Sequence, residues 1–422
     1  MPFDLEASGD EIPRVATEGC WLACIGCGAA HPPFAHPTYT CPDCGGLLEV
    51  RYAEAFALAD ATDAPGVWRY REALPLDAGV SLPEGGTPMH EAPALASDLG
   101  IADLRVKHEG MNPTGSFKDR GMTVGVAVAR RLGVERLACA STGNTAAALA
   151  AYGARGGLET LVVLPAGKVA AGKLAQASLH GARILEVDGS FDDCLELVRG
   201  LAEREVVYLL NSLNPFRLEG QKTIGFEVLE AARAAWGRPP DRVVLPVGNA
   251  GNVAALFKAW RELVRGGDLA PAAMPRLTGV QAAGAAPFVE AVAAGRDHVD
   301  PWADVETAAT AIRIGHPVNA PKALPGIYDT GGTAVAVDDA AIQRAQRDLA
   351  AAGIGVEPAS AASLAGLREL RERGEVDPDE RVVCLTTGHL LKDPDAAVSA
   401  GTAPEPVPND LDALLAHLGV AT

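Results

Sequence analysis

From about residue 100 to 390 the chain alternates between short β-branched apolar runs and longer Ala-rich runs with helical spacing. The run 136–140 is followed by 145–157, 161–164 by 169–180, and 242–246 by 253–264; further apolar runs stand at 277–281 and 381–386. Strand, turn and helix in repetition predict an α/β fold, with mostly parallel sheets flanked by helices. No short repeat suggests a solenoid. Residues 1–55 break the pattern and are rich in Cys, Pro and turn formers. After Asp393 the sequence thins to a Pro-rich linker and a short helical run at 411–418, which reads as a surface appendage.

Length and charge narrow the class. A chain of 422 residues, 48 % hydrophobic, has material for two or three domains. Its longest apolar stretches, such as 146–151, fall far short of the ~20 residues that a membrane span needs. The start, MPFDLEASGDEIPRV, carries acids where a secretory signal would carry bases. A soluble, cytoplasmic protein is expected. Its net charge of −18 repels phosphate backbones and anionic lipid, so neither nucleic acid nor membrane is expected as a partner.

Two CxxC pairs, Cys24/Cys27 and Cys41/Cys44, lie 13 residues apart. Two such knuckles make a tetrahedral Cys₄ site with no open position, so a bound zinc would be structural. Thiols left in a ribbon that has lost its metal are the alternative. Cys20 reads as a spare thiol, and Cys139, Cys194 and Cys384 as core residues. Residues 28–40 contain no Lys or Arg, which argues against a nucleic-acid-binding ribbon.

Five segments carry candidate chemistry. In 109–120 the turn formers Asn112-Pro113-Thr114-Gly115 precede Ser116, placed to cap a following helix. Lys118 then falls in the first turn, where the helix dipole favours a neutral amine over a cation. A solvated surface lysine would fit the same pattern. Gly248-Asn249-Ala250-Gly251-Asn252 follows a strand and opens a helix, a backbone cradle for phosphate or a plain strand–helix turn. Ser141-Thr142-Gly143-Asn144-Thr145 holds a similar position, suited to an anion or to capping. In 211–223 the guanidinium of Arg217 offers bidentate donors to a phosphate, or pairs with a nearby Glu. Thr386-Thr387-Gly388-His389 follows the last strand. A threonine hydroxyl there can bond a pyridine nitrogen without forcing its protonation.

The run Asn112-Pro113-Thr114-Gly115-Ser116-Phe117-Lys118-Asp119-Arg120-Gly121 closely resembles the cofactor-lysine signature of threonine synthases. These are fold-type-II pyridoxal-phosphate enzymes, related to the tryptophan synthase β family. Glu84-Gly85-Gly86-Thr87-Pro88 and the Cys knuckles resemble further parts of that family, so the likeness spans about 20–395. The resemblance implies a two-domain enzyme with an N-terminal zinc-ribbon-like segment. It divides the chain into a ribbon at 1–55, a large domain at 56–119 and 221–395, a small domain at 120–220, and a linker and tail at 396–422. It implies that Lys118 carries pyridoxal 5'-phosphate as a Schiff base. The loop Gly248, Asn249, Ala250, Gly251 and Asn252 would bind the cofactor phosphate. Asn144 would contact its phenolic oxygen, and Thr387 its ring nitrogen, with Thr386 in reserve. Ser141, Thr142, Thr145, Ser212, Arg217 and Asn249 would bind substrate. The reaction implied is conversion of O-phospho-L-homoserine and water to L-threonine and phosphate. Related lyases such as cysteate synthase and threonine dehydratase are the alternatives. Dehydratases tend to carry His after the matching Asn, and Thr145 favours the synthase. A homodimer is the default expectation.

Overall fold

The computed structural model describes residues 12–141, 143–167, 171–401 and 403–420, with backbone alone at 171–173. Among the described residues, thirteen strands form three sheets. The first is the ribbon, with β1 (Cys20–Cys24) between β2 (Ala30–His31) and β3 (Leu48–Tyr52), all antiparallel. The largest sheet draws on β4 (Met89–Glu91) and β5 (Asp103–His108) early in the chain. A second, four-stranded sheet holds β6 (Arg136–Ala140), β7 (Glu159–Pro165), β8 (Arg183–Val187) and β9 (Tyr208–Leu209), in the order β8-β7-β6-β9 and parallel throughout. The chain then returns to the large sheet through β10 (Arg242–Pro246), β11 (Arg276–Ala282), β12 (Thr333–Val337) and β13 (Arg381–Thr386). Its order is β12-β11-β10-β13-β5-β4, with only the edge strand β4 antiparallel.

The apolar runs become buried parallel strands because helices cover both faces of such sheets. All five residues of β10 are buried. The expected strands fall where the apolar runs stand, extended at the ends of β7 and β11. The helix expected over 145–157 spans Asn144–Gly156 and ends on Gly157 at φ 71, a left-handed cap that glycine adopts freely. The helix expected over 169–180 is described as Ala171–Leu179; residues 168–170 lie outside the described part. Ser116 is not the cap of the lysine helix Lys118–Arg131. That position falls on Phe117, already at helical φ −57, and Ser116 Oγ only accepts the Lys118 N–H at 3.4 Å.

The ribbon is welded to the rest. Leu22, Leu48 and Val50 share one apolar cluster with the lysine helix. Buried Lys322 and Lys258 donate to the Leu48 and Val50 carbonyls at 2.5 and 2.6 Å, and Tyr52 donates to Glu219 at 2.6 Å. Among the described residues, no helix is long and apolar enough to cross a membrane.

Candidate active site

The site forms where the two parallel sheets face each other, from loops at the carboxyl ends of their strands. That is where open α/β sheets hold ligands. Lys118 sits at the start of its helix, half-buried, with Nζ 4.1 Å from the centre of the Phe117 ring. Burial pushes its amine down to about 7; the Arg217 charge adds to this and Glu357 opposes it. The lysine loop is tied to the turn after β13. Phe117 N–H donates to the Thr387 carbonyl at 3.0 Å and His389 N–H to the Gly115 carbonyl at 2.9 Å. Backbone pairing between segments more than 250 residues apart thus brings Lys118 and Thr387 together.

Thr387 is buried, and its hydroxyl meets Ser360 Oγ at 2.9 Å and Glu357 at 3.3 Å. Thr386 turns its hydroxyl away, to His108 Nδ1 at 3.1 Å and the Lys107 carbonyl at 3.3 Å. It is the poorer candidate of the two. His389 accepts the Leu391 N–H at 3.2 Å through Nδ1, a structural loop bond.

The anion side is built from three turns. Asn144 begins the helix after β6, and its amide donates to both oxygens of Glu357, at 3.1 and 3.0 Å. Ser141 Oγ accepts the Gly143 N–H at 3.3 Å, and Thr145 follows in the first helical turn. Thr142 lies outside the described residues. Asn211 clamps Ala140 through both its amide atoms, which holds the end of β6 beside the segment that carries Ser212. Asn319 bridges onward: its amide donates to the Ser212 carbonyl at 3.0 Å and its N–H to the Asn249 carbonyl at 3.0 Å.

Arg217 is 1 % exposed, in the first turn of the helix Pro215–Trp236. Its Nη1 donates to the Leu210 carbonyl at 3.2 Å, while Nε and Nη2 are buried with no partner. Two unmade bonds on a buried guanidinium are costly unless a ligand completes them. Burial holds this guanidinium down at about 10. The expected surface pair with a neighbouring Glu does not form: Glu219 is engaged with Lys222 and Tyr52.

Gly248 to Asn252 lead into the helix Gly251–Arg265. Ala250 adopts φ 60, a left-handed conformation that a residue with a Cβ adopts at a cost. A Cβ at Gly248 would lie 3.2 Å from the Ala311 carbonyl oxygen, so the turn is closely packed from behind. Strained backbone opening a helix of four turns suits an oxyanion. These features fit pyridoxal phosphate: an amine poised near neutrality, a backbone cradle for one phosphate, and a hydroxyl and an amide between them.

Four thiols meet in the ribbon. Cys24 and Cys44 Sγ lie 3.5 Å apart, Cys27 and Cys41 Sγ 3.7 Å, and all four within 4.8 Å of one another. A tetrahedral site with Zn–S bonds of ~2.3 Å requires sulfurs at about these separations. The Gly26 and Cys27 N–H groups donate to Cys24 Sγ at 3.4 and 3.5 Å, as they would to a thiolate. Cys20, Cys139, Cys194 and Cys384 are buried elsewhere and unpaired.

Comparison with known proteins defines the class. The family described as pyridoxal-phosphate dependent enzyme matches residues 80–388, and the chain belongs to it. It is 53 % identical over 399 residues to the threonine synthase of Methanosarcina acetivorans, covering 93 % of this chain and 97 % of that one. With the threonine synthase of Methanocaldococcus jannaschii the identity is 52 % over 401 residues, at the same coverage. Diaminopropionate ammonia lyase from Escherichia coli shares the fold, with a TM-score of 0.66 over 88 % of this chain and 98 % of that one, at 16 % identity.

Proposed function

We infer that the chain is a threonine synthase, a lyase that converts O-phospho-L-homoserine and water to L-threonine and phosphate. The observation that carries the phosphate substrate is Arg217, a buried guanidinium with Nε and Nη2 unpartnered beside Lys118. We assign the cofactor to Lys118, with the loop Gly248–Asn252 at its phosphate and Asn144 and Thr387 at its ring. Pyridoxal phosphate, when bound, supplies an electron sink for negative charge beside the substrate nitrogen.

The chain's own groups do the rest. Arg217 holds the substrate phosphate, helped by Ser212, Asn249 and the hydroxyls of Ser141, Thr142 and Thr145. Lys118 Nζ, its amine held down to about 7, takes a proton from Cα and then one from Cβ. Phosphate leaves from Cγ with the bonding electrons and stays on Arg217, and Cγ takes a proton from Lys118 Nζ to become the methyl group. Water then adds at Cβ, and Lys118 returns a proton to Cα. Closure of the small domain, 120–220, over the large one would keep water out until that step.

The four ribbon thiols are assigned to one structural zinc ion. The cytoplasmic location is supported by eight cysteines that form no disulfide. A homodimer follows from twofold pairing being the commonest assembly.

The test is turnover of O-phosphohomoserine by cofactor-loaded protein beside Lys118→Ala. Equal amounts of phosphate and threonine, lost in the variant, support the reading. Turnover instead of phosphoserine with sulfite, or deamination of threonine, would move the chain to the cysteate synthase or dehydratase reaction.

A further inference from the structure

Glu357 stands in the cleft, and the roles above make no use of it. It caps the helix Pro358–Glu372 by position and is 4 % exposed. Its N–H donates to the Gly388 carbonyl at 3.1 Å, which fixes the backbone against the turn after β13. A Cβ on Gly388 would lie 2.5 Å from Glu357 Oε1, so only glycine leaves the carboxyl its place. Both oxygens accept from the Asn144 amide, and Oε1 also accepts from Thr387 Oγ1. Asn144 follows a strand of the four-stranded sheet and Thr387 a strand of the six-stranded sheet, and among the described residues Glu357 is the one group that bonds both side chains.

Several buried carboxylates are paired with Arg or Lys, Glu109 with Arg120, Glu227 with Arg120 and Lys107, Glu380 with Arg242, while Glu84 and Asp119 accept from neutral donors near them in sequence or from Tyr152. Among the described residues, Glu357 has no cation within ion-pair distance. The charged groups that face it at longer range are Lys118 on the lysine helix and Lys392 beyond β13. Lys392 in turn donates to the Thr114 carbonyl at 3.0 Å and lies near Asp119. Burial pushes the Glu357 carboxyl up, against the Asn144 bond, the Lys392 charge, the Thr387 bond and the Lys118 charge.

We propose that Glu357 is a positioning residue of the active site: its carboxyl orients the Asn144 amide and the Thr387 hydroxyl toward the cofactor ring. The inference rests on the cofactor assignment given above. One amide hydrogen of Asn144 is spent on Glu357, which leaves the other, on the same nitrogen, for the ring. Thr387 gives its proton to Glu357 while that carboxyl is ionised and is then an acceptor. Once the carboxyl is protonated, Thr387 is free to donate elsewhere. The charge state of Glu357 thereby selects what Thr387 offers the ring.

The experiment compares wild type, Glu357→Gln and Glu357→Asp, each loaded with pyridoxal phosphate. It follows cofactor affinity and the pH titration of the visible absorbance band. Glu357→Gln removes the charge and keeps the shape. Its titration midpoint should fall by about one pH unit, since an opposite charge near a protonated imine favours the charged form. Its cofactor Kd should rise roughly 10-fold. Glu357→Asp keeps the charge but not the reach, so the midpoint should return while the Kd stays weak. A scaffold role would leave the midpoint in place, and identical midpoints and Kd values in wild type and folded Glu357→Gln overturn the proposal. Wild type that binds no pyridoxal phosphate defeats the cofactor assignment itself, and the proposal with it. A second readout needs no variant: in cofactor-free wild type the Asn144 side-chain amide resonance should shift as pH rises through and above the ordinary carboxylate range. A resonance that does not move over that range contradicts the proposal.

Discussion

Two buried clusters of charge lie on either side of the lysine helix, and they are built to opposite rules. On one side Arg120 is wholly enclosed and bonds Glu109 at 2.6 and 2.8 Å and Glu227 at 2.7 Å through two nitrogens. Lys107 completes Glu227 at 2.5 Å, and Thr87, Thr223 and Asn112 fill further positions. Two cations meet two carboxylates. The Glu84-Gly85-Gly86-Thr87 segment belongs here: Gly85 and Gly86 N–H donate to Asn112 and Glu227, and Gly85 at φ 91 takes a turn that side chains avoid. On the other side Arg217 and Glu357 are equally buried, yet neither has an ion partner among the described residues. The first cluster is finished, and the second is finished only by what it binds. A buried charge thus marks a scaffold or a site according to whether its bonds are already made.

The largest effect should come from breaking the finished cluster. Arg120→Met leaves Glu109 without a cation and Glu227 with Lys107 alone, and should cost about 3–5 kcal/mol of stability in chemical denaturation. Arg217→Met removes a charge that has no ion partner to lose. It should leave stability within about 1 kcal/mol or raise it, while kcat/KM for O-phosphohomoserine falls roughly 100-fold. Equal losses of stability in the two variants would erase the distinction between the clusters.

A smaller effect concerns Lys118. Its folded amine titrates at about 7 and its unfolded amine at the ordinary 10.5. Between those values the unfolded chain binds more protons, so the group's contribution to stability rises with pH across that window. Below about 7 both states are charged and the cost of enclosing the cation is complete. Cofactor-free Lys118→Met should therefore melt higher than wild type, most clearly below pH 7, with the gain fading toward 10.5. A gain that grows with pH would refute the shift. The smallest effect should come from the ribbon. Chelation or Cys27→Ser should lower Tm by a few degrees, because β3 stays anchored by Lys258 and Lys322 whatever the thiols hold.

What was legible in the sequence was local. Strands β6, β7, β10, β11 and β13 stood out as β-branched runs, while β4, β5, β8, β9 and β12 did not, and the lysine loop, the glycine turn before Gly251 and the paired cysteines each carried their chemistry within a short segment. What was hidden depends on long-range pairing. Arg120 meets Glu227 across 107 positions, and Asn144 meets Glu357 across 213. Glu357 precedes Pro358 and reads as an ordinary helix start. Asn319 likewise opens a helix, and nothing near it signals that it links Ser212 to Asn249. Phe117 takes the cap position expected of Ser116 because the Thr387 carbonyl already holds its N–H.

Binding of inorganic phosphate to cofactor-loaded enzyme, measured by calorimetry in wild type and Arg217→Gln, tests the central claim most directly. Because the cofactor fills its own phosphate cradle, only the substrate position remains. The account predicts binding in wild type, weakened at least ~10-fold in the variant by loss of the charged donors. Equal affinity in the two proteins would show that the open bonds of Arg217 do not receive the phosphate, and would contradict the assignment.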